Sequence, residues 1–394
     1  GDHRDLHYPL RRQRQMCIRD RPYSADKHYE YWMVAQSYLS YGGPLRVVRA
    51  DDDDLKNAFS GTASDIKIKS TEHYNDLGYD GSTITGVTVA ARNPGSWANN
   101  LKVAIIDDLA DQVLTFSSLP TNIQVGFGIT QSIPANTVVA GSGSTSLLTG
   151  YFKGIVTQVD TNLKTASVKI LESVTEAGVS TDVTYQPNGI YKFGNTVATV
   201  HNNSGVATGT GSPTANVDWY DSQTIQLTNS TINWNNIADR PGTSSFAEAR
   251  DARFDEVHVV VIDDVGEVTG NAGTILEKHL SMSKAKDGEY SLGSPSYWRK
   301  YTYNNSTNIF AGGAPAGIVT TSFGAGASNF TQFGDGGWDQ NAQGIRYSGI
   351  GATTLTLGGG KNYDGGTDDE ATGAFQVTLA GLAGGYQLFE DDNL

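Results

Sequence analysis

Apolar residues in this chain fall in short runs broken by Gly, Asn, Asp and Ser, and most runs repeat every second residue, the period of a half-buried strand. Residues 85–90 alternate in this way. After the turn-rich Arg92-Asn93-Pro94-Gly95-Ser96-Trp97-Ala98-Asn99-Asn100 comes Leu101-Lys102-Val103-Ala104-Ile105-Ile106, expected to pair with them and to end at Asp107 and Asp108. Val257-His258-Val259-Val260-Val261-Ile262 is almost continuously apolar, which predicts a central strand covered on both faces. Asp263-Asp264-Val265-Gly266 then turns the chain into a strand over 275–282. Strands at 154–159 and 166–171 flank Asp160-Thr161-Asn162 as a hairpin. Further strands are expected at 45–50, closed by Asp51 to Asp54, and at 353–357, broken by Gly358-Gly359-Gly360, with apolar segments at 372–383 and 386–390.

One segment has helical spacing. Ser24 is placed to cap it, Asp26 lies in its first turn, and Trp32, Ala35 and Leu39, with Tyr31 and Tyr38 beside them, form an apolar stripe. Gly42, Gly43 and Pro44 end it. The chain is therefore expected to be α+β and β-rich, with a mixed sheet. Residues 22–113 and 251–394 read as one discontinuous α+β unit, and 114–250, dense in turns and lacking long helical patterns, as an inserted all-β domain. Residues 311–352, rich in Gly and Ala, read as a long exposed loop.

Composition sharpens this. Gly occurs 46 times in 394 residues, which favours many turns, and the net charge of −14 argues against a nucleic-acid partner, whose phosphates need a basic face. Residues 1–21 differ, with six Arg against three Asp and no periodicity. They read either as a basic arm for nucleic acid or as sequence foreign to the protein, since Gln15-Met16-Cys17-Ile18-Arg19-Asp20-Arg21 resembles translated adapter read-through. On the second reading they are expected to be disordered. Cys17 is the single cysteine, so no intrachain disulfide forms, and no run of eighteen apolar residues marks a membrane span.

The search for chemistry returns no catalytic, cofactor-binding or metal-ligating assignment. The seven histidines lack metal-ligand spacing, and His258 reads as a core residue with its ring nitrogens satisfied. Gly358-Gly359-Gly360-Lys361 lacks the spacing and the Ser or Thr of a phosphate loop, and Gly126-Phe127-Gly128 lacks the third Gly of a dinucleotide fingerprint. Asp51 to Asp54 and Asp364-Gly365-Gly366-Thr367-Asp368-Asp369-Glu370 miss the ligand pattern of a calcium loop and read as solvated acidic turns. No Gly-x-Ser-x-Gly elbow occurs.

Three strings together resemble the tail sheath proteins of contractile-tailed bacteriophages. The first runs from Tyr31-Trp32-Met33-Val34-Ala35 through Tyr41-Gly42-Gly43-Pro44 to Leu45-Arg46-Val47-Val48-Arg49-Ala50. The second is Arg92-Asn93-Pro94-Gly95-Ser96-Trp97-Ala98-Asn99-Asn100-Leu101-Lys102-Val103, and the third Leu357-Gly358-Gly359-Gly360 followed by Gly373 and Tyr386-Gln387-Leu388-Phe389. The resemblance covers residues 22–394, loosely over 114–250, where such proteins carry outer-surface insertions. The family's N-terminal arm and C-terminal domain have no counterpart here, so the resemblance implies a fragment, expected to be monomeric.

The resemblance implies a structural subunit of the virion, assembled in the bacterial host cytoplasm, with other sheath subunits, the tail tube and the baseplate as partners. Stacked hexameric rings would contract to drive the tube through the host envelope, without enzyme activity, cofactor, nucleic acid or membrane. Arg46 and Arg49 are placed to pair with acidic groups within or between subunits. The rival reading is a β-rich phage surface protein that binds carbohydrate, drawn from 19 Tyr, six Trp and the Asn- and Thr-rich middle.

Overall fold

The computed structural model describes residues 28–42, 54–138, 147–175, 180–182, 193–202, 204–316 and 337–362. Residues 1–21, the strand expected at 45–50, most of the first acidic run, the second acidic run and the segments at 372–383 and 386–390 lie outside these.

Four helices are described: α1 (His28–Ser40), α2 (Thr71–Asp76), α3 (Ser245–Glu248) and α4 (Trp298–Asn305). The first strands are β1 (Phe59–Gly61), β2 (Val87–Ala91), β3 (Leu101–Asp107) and β4 (Gln112–Phe116). Next come β5 (Gly128–Val138), β6 (Leu147–Asp160), β7 (Thr165–Thr175), β8 (Ser180–Asp182), β9 (Ala198–His201), β10 (Ala207–Gly211) and β11 (Pro213–Asp218). The remainder are β12 (Thr224–Gln226), β13 (Thr231–Asn233), β14 (Glu256–Asp263), β15 (Thr274–Ser283), β16 (Glu289–Ser291), β17 (Ser294–Pro295), β18 (Ile309–Ala311) and β19 (Ala352–Thr356). The protein is β-rich, with few helices.

The sheet nearest the middle has the order β15-β14-β3-β19, so β14 is flanked on both sides, as its continuous apolar run requires. Its alternate residues serve two cores, because successive side chains on a strand point to opposite faces. Val257, Val259 and Val261 join Val103 and Ile105 in a first core with Trp97, Trp298 and Trp338. Val260 and Ile262 join Ala104 and Ile106 in a second, with Trp219, Tyr220 and Trp234. The first core is closed on its far side by a small sheet of order β1-β2-β18, through Val89, Ala91, Ile309 and Ala311. The outer face of that sheet packs on Tyr74 of α2, whose ring stacks on Phe310 at 4.4 Å.

The eight-stranded sheet, β10-β9-β5-β6-β7-β4-β11 with β8 beside β7, occupies residues 112–218 and carries its own core of Leu114, Phe116, Ile129, Val156, Val168 and Val200. Its first and last residues, Gln112 and Asp218, are Cα partners across β4 and β11. Residues 219–250 contribute Trp219, Tyr220, Ile225 and Trp234 to the second core, against the four-stranded sheet.

Three expectations are corrected. Every ladder joining the named strands is antiparallel, so the expected mixed sheet does not form among the described residues; parallel pairing is confined to the isolated bridges Arg253–Arg346 and Ser283–Tyr297. Parallel ladders need long crossovers, usually helical, and the described helices are short and few. Strands β2 and β3 do not pair: Trp97 of the Ser96–Ala98 turn plunges into the first core and carries the chain from one sheet to the other. The region 337–350 is not a wholly exposed loop, because Trp338, Ala342, Tyr347 and Ser348 are buried. Asp107, Asp108, Asp263 and Asp264, at the ends of β3 and β14, are all buried.

Candidate functional site

Two strings singled out in the sequence meet at one place. Asn99 follows the 3-10 turn Ser96–Ala98, and its side chain grips Gly360 from both sides. Its Nδ2 donates to Gly360 O at 3.0 Å and its Oδ1 accepts from Gly360 N at 2.8 Å, across 261 residues of sequence. Asn362 completes the clamp, accepting from Ser96 N at 3.0 Å and donating to Ser96 Oγ at 2.9 Å. The backbone joins in through Asn100 N to Leu357 O and Leu357 N to Leu101 O, each 2.9 Å.

The triglycine has a packing reason here. A Cβ on Gly360 would lie 2.3 Å from Gly95 O, and Gly359 has φ +76°. A side chain at 360 would force the two backbones apart, so Gly360 serves close approach and Gly359 a left-handed backbone.

A second constellation lies where the chain enters and leaves the eight-stranded sheet. Lys169 of β7 sits 2.6 Å from Asp108 Oδ2 and 3.3 Å from Asp111 Oδ1. Arg240 donates from Nε to Asp108 Oδ1 at 2.6 Å, and pairs with Asp111 and Asp218 at 3.1 Å each. Its Nη2 also meets Ala110 O. Burial alone would raise both inner carboxyls. For Asp108, Lys169 and Arg240 overcome burial and hold it below the usual range, whereas Asp111 stays above it, with the charge of Asp108 adding to burial. The neighbouring Glu256 carboxyl is also pushed up, chiefly by burial.

Two further buried networks brace the body. Lys284 donates to Asp107 Oδ2 at 2.8 Å, to Phe254 O at 3.0 Å and to Ser348 O at 3.1 Å, which uses its three protons. Asp107 also accepts from the backbone N–H groups of Ile350 and Gly351 at 2.9 Å. Glu277 accepts from Ser306 Oγ, Thr307 N and Oγ1, and Asn308 N and Nδ2. Burial would raise its carboxyl, but these bonds and His279 at 2.9 Å bring it down to about 2.

His258 is satisfied at both nitrogens. Ser281 N donates to Nδ1 at 2.9 Å, which fixes the proton on Nε2, where it is donated to Asp239 O at 2.8 Å. The geometry comes from a bulge, since Val257 pairs with Met282 but Val259 pairs with His279, leaving Leu280 and Ser281 opposite His258. Ser281 takes φ +50° there.

An open cleft of about 350 Å³ lies beside the first turn of α2, lined by Ser70, Thr71, Arg92, Asn93, Ser306 and Thr307. Arg92 is already committed to structure, donating to Tyr303 O at 2.9 Å and Ser306 O at 2.5 Å and lying over the Phe310 ring. On α1, Ala35 of the expected stripe is half-buried, while Tyr38 and Leu39 are exposed, as are Met33 and Val34.

Among the described residues no three His, Cys, Asp or Glu side chains gather as a metal site, and no helix is long and apolar enough to cross a membrane. Fold and site together define a β-rich protein of antiparallel sheets whose interior is braced by buried ion pairs. Comparison with protein-family models, with curated proteins and with solved structures returns no match.

The clamp, the Lys169–Arg240 cluster and the Glu277 network were all missed from sequence. For the buried carboxylates a signal was available in the pairs of Asp residues directly after the mostly apolar runs 101–106 and 257–262.

Proposed function

We propose that this chain is a structural subunit of a phage contractile tail sheath. In the assembled protein it would stack with other sheath subunits in hexameric rings around the tail tube, joined at one end to the baseplate. On this reading it is neither an enzyme nor a cofactor carrier, and its place is the virion. The observation that carries the proposal is the clamp. Two of the three strings on which the resemblance rests are remote in sequence, yet they meet through Asn99, Gly360, Ser96 and Asn362. Motifs shared with a family by chance have no reason to be spatial partners.

Contraction of such a sheath takes its energy from the difference between two packings of the same subunits. The braced interior suits this role, because each domain can then move as a rigid body while the interfaces between subunits exchange. The carbohydrate reading relied on aromatic platforms, and Trp97, Trp219, Trp234, Trp298 and Trp338 are buried.

The decisive test is the genomic and particle context. The sheath reading expects a tail-tube gene directly downstream and recovery of the gene product, by mass spectrometry, from purified contractile-tailed particles. A product absent from such particles, or a glycan-array signal lost on mutating the exposed Tyr41 or Tyr290, would overturn it.

A further inference from the structure

The eight-stranded sheet joins the body through two adjacent crossings, Asp108 to Asp111 on the way in and Asp218 to Trp219 on the way out. Its core is separate from the two cores of the body. Ile155 and Val113 are its apolar residues that reach into the second core, and Phe254 of the body covers Lys169 Nζ at 4.2 Å. Arg240 belongs to the body side: it follows Asp239, whose carbonyl accepts from His258, and Ala238, whose carbonyl accepts from Tyr220 Oη at 2.7 Å.

We infer that Arg240 is the clasp of a hinge: it ties both crossings to the body, and its release lets the eight-stranded sheet swing as a unit about residues 108–111 and 218–219. This device is independent of the sheath reading.

Three observations carry it. First, one guanidinium reaches both the incoming strand, through Asp108, Ala110 and Asp111, and the outgoing one, through Asp218. Loss of that one side chain therefore removes the charged tie at both connections together, leaving the packing of Leu109, Ala110 and Trp219 in the second core. Second, Asp108, Asp111 and Asp218 share the one Arg240 guanidinium, and Lys169 reaches Asp108 and Asp111. Removing one partner of a buried ion pair leaves uncompensated charge, which favours opening the junction to water. Third, Trp219 at the exit crossing is buried, yet its indole Nε1 finds no protein partner. An unpaired buried donor penalises the closed arrangement, and a swing that wets the crossing would relieve it. Small polar contacts between units of one chain usually permit relative motion unless something fastens them.

The test measures a distance across the hinge in the full chain. In a Cys17→Ser background, Leu163→Cys at the β6–β7 tip and Leu292→Cys at the β16–β17 tip accept spin labels, since these leucines are 69% and 99% exposed. Pulsed electron resonance should give one narrow distance with Arg240 present. Arg240→Lys, which keeps the charge but cannot reach both crossings, should add a second, displaced distance with unchanged far-ultraviolet circular dichroism. Asp218→Asn, which loosens the exit crossing alone, should do the same to a smaller extent. If Arg240→Lys fails to fold, Asp218→Asn decides. An unchanged single distance in the folded variants would overturn the hinge.

Discussion

Replacing Lys284 with Met tests whether the interior is braced by charge in the way its geometry indicates. Lys284 and Asp107 are 1% and 0% exposed, and their 2.8 Å contact links the residue after β15 to the end of β3, across β14. Methionine keeps most of the volume and the apolar stem. What is lost is the cation beside Asp107 and the donor to Phe254 O, while Ser348 O keeps Trp338 Nε1 at 3.0 Å. Breaking a buried pair from one side leaves an uncompensated charge and typically costs about 3–5 kcal/mol. That is a large part of the roughly 5–15 kcal/mol that separates folded from unfolded in a typical domain. Urea unfolding followed by tryptophan fluorescence suits the measurement, because the Trp338 ring lies 5.2 Å from Lys284 Nζ. The midpoint should fall with an unchanged denaturant slope. Lys284→Met combined with Asp107→Asn removes the stranded charge and should recover part of the loss. A Lys284→Met protein within about 1 kcal/mol of wild type, or a double variant no better than the single one, would refute the argument that stranded charge sets the cost.

Further expectations concern the clamp and two titratable groups. Asn99→Ala removes both bonds to Gly360 and should cost about 1–3 kcal/mol, with faster amide exchange at Gly360 and Ser96 and little change in the eight-stranded sheet. Gly360→Ala should be worse, because its Cβ would meet the Gly95 backbone oxygen at 2.3 Å as well as the Asn99 side chain. Glu277, held down to about 2, contributes stability that is complete above its ordinary 4.5 and lost as pH falls through about 2. The gap between wild type and Glu277→Gln in urea midpoint should therefore be constant near neutrality and shrink in acid. Burial lowers the His258 imidazole below its ordinary 6.5, so the fold keeps it neutral while the unfolded chain takes up a proton. Its contribution is present above 6.5 and lost as pH falls below it, so a His258→Gln protein should lose less stability than wild type between pH 7 and 5.

Strands were legible where one rule decided them. The continuous run at 257–262 could be stable only with both faces covered, and it became β14, serving two cores. The hairpin at 160–162 was readable because Asp160 caps its own turn, accepting from Asn162 N and Leu163 N. Pairing between strands was not legible, because alternation gives a face but no partner, and β2 and β3 part company at Trp97. Buried charges were the least legible feature. An aspartate after a strand looks the same whether it meets water or Lys284, and its partner here lies well over a hundred residues away. Residues 337–350 misled for a related reason: they lie in the Gly- and Ala-rich stretch 311–352, yet Trp338 and Tyr347 anchor them in the interior.

The pairing of Gln112 with Asp218 has a consequence for how this chain tolerates change. Facing residues in an antiparallel pair have Cα atoms about 4.5–5.5 Å apart. To the body, the whole excursion is therefore geometrically equivalent to a tight hairpin, however many strands it contains. Closing a longer excursion adds only a slowly growing entropic term. Evolution, or an engineer, could lengthen, shorten or exchange what lies between these two residues without asking the remaining sheets to rearrange, provided Val113, Ile155 and Lys169 keep their contacts with the body.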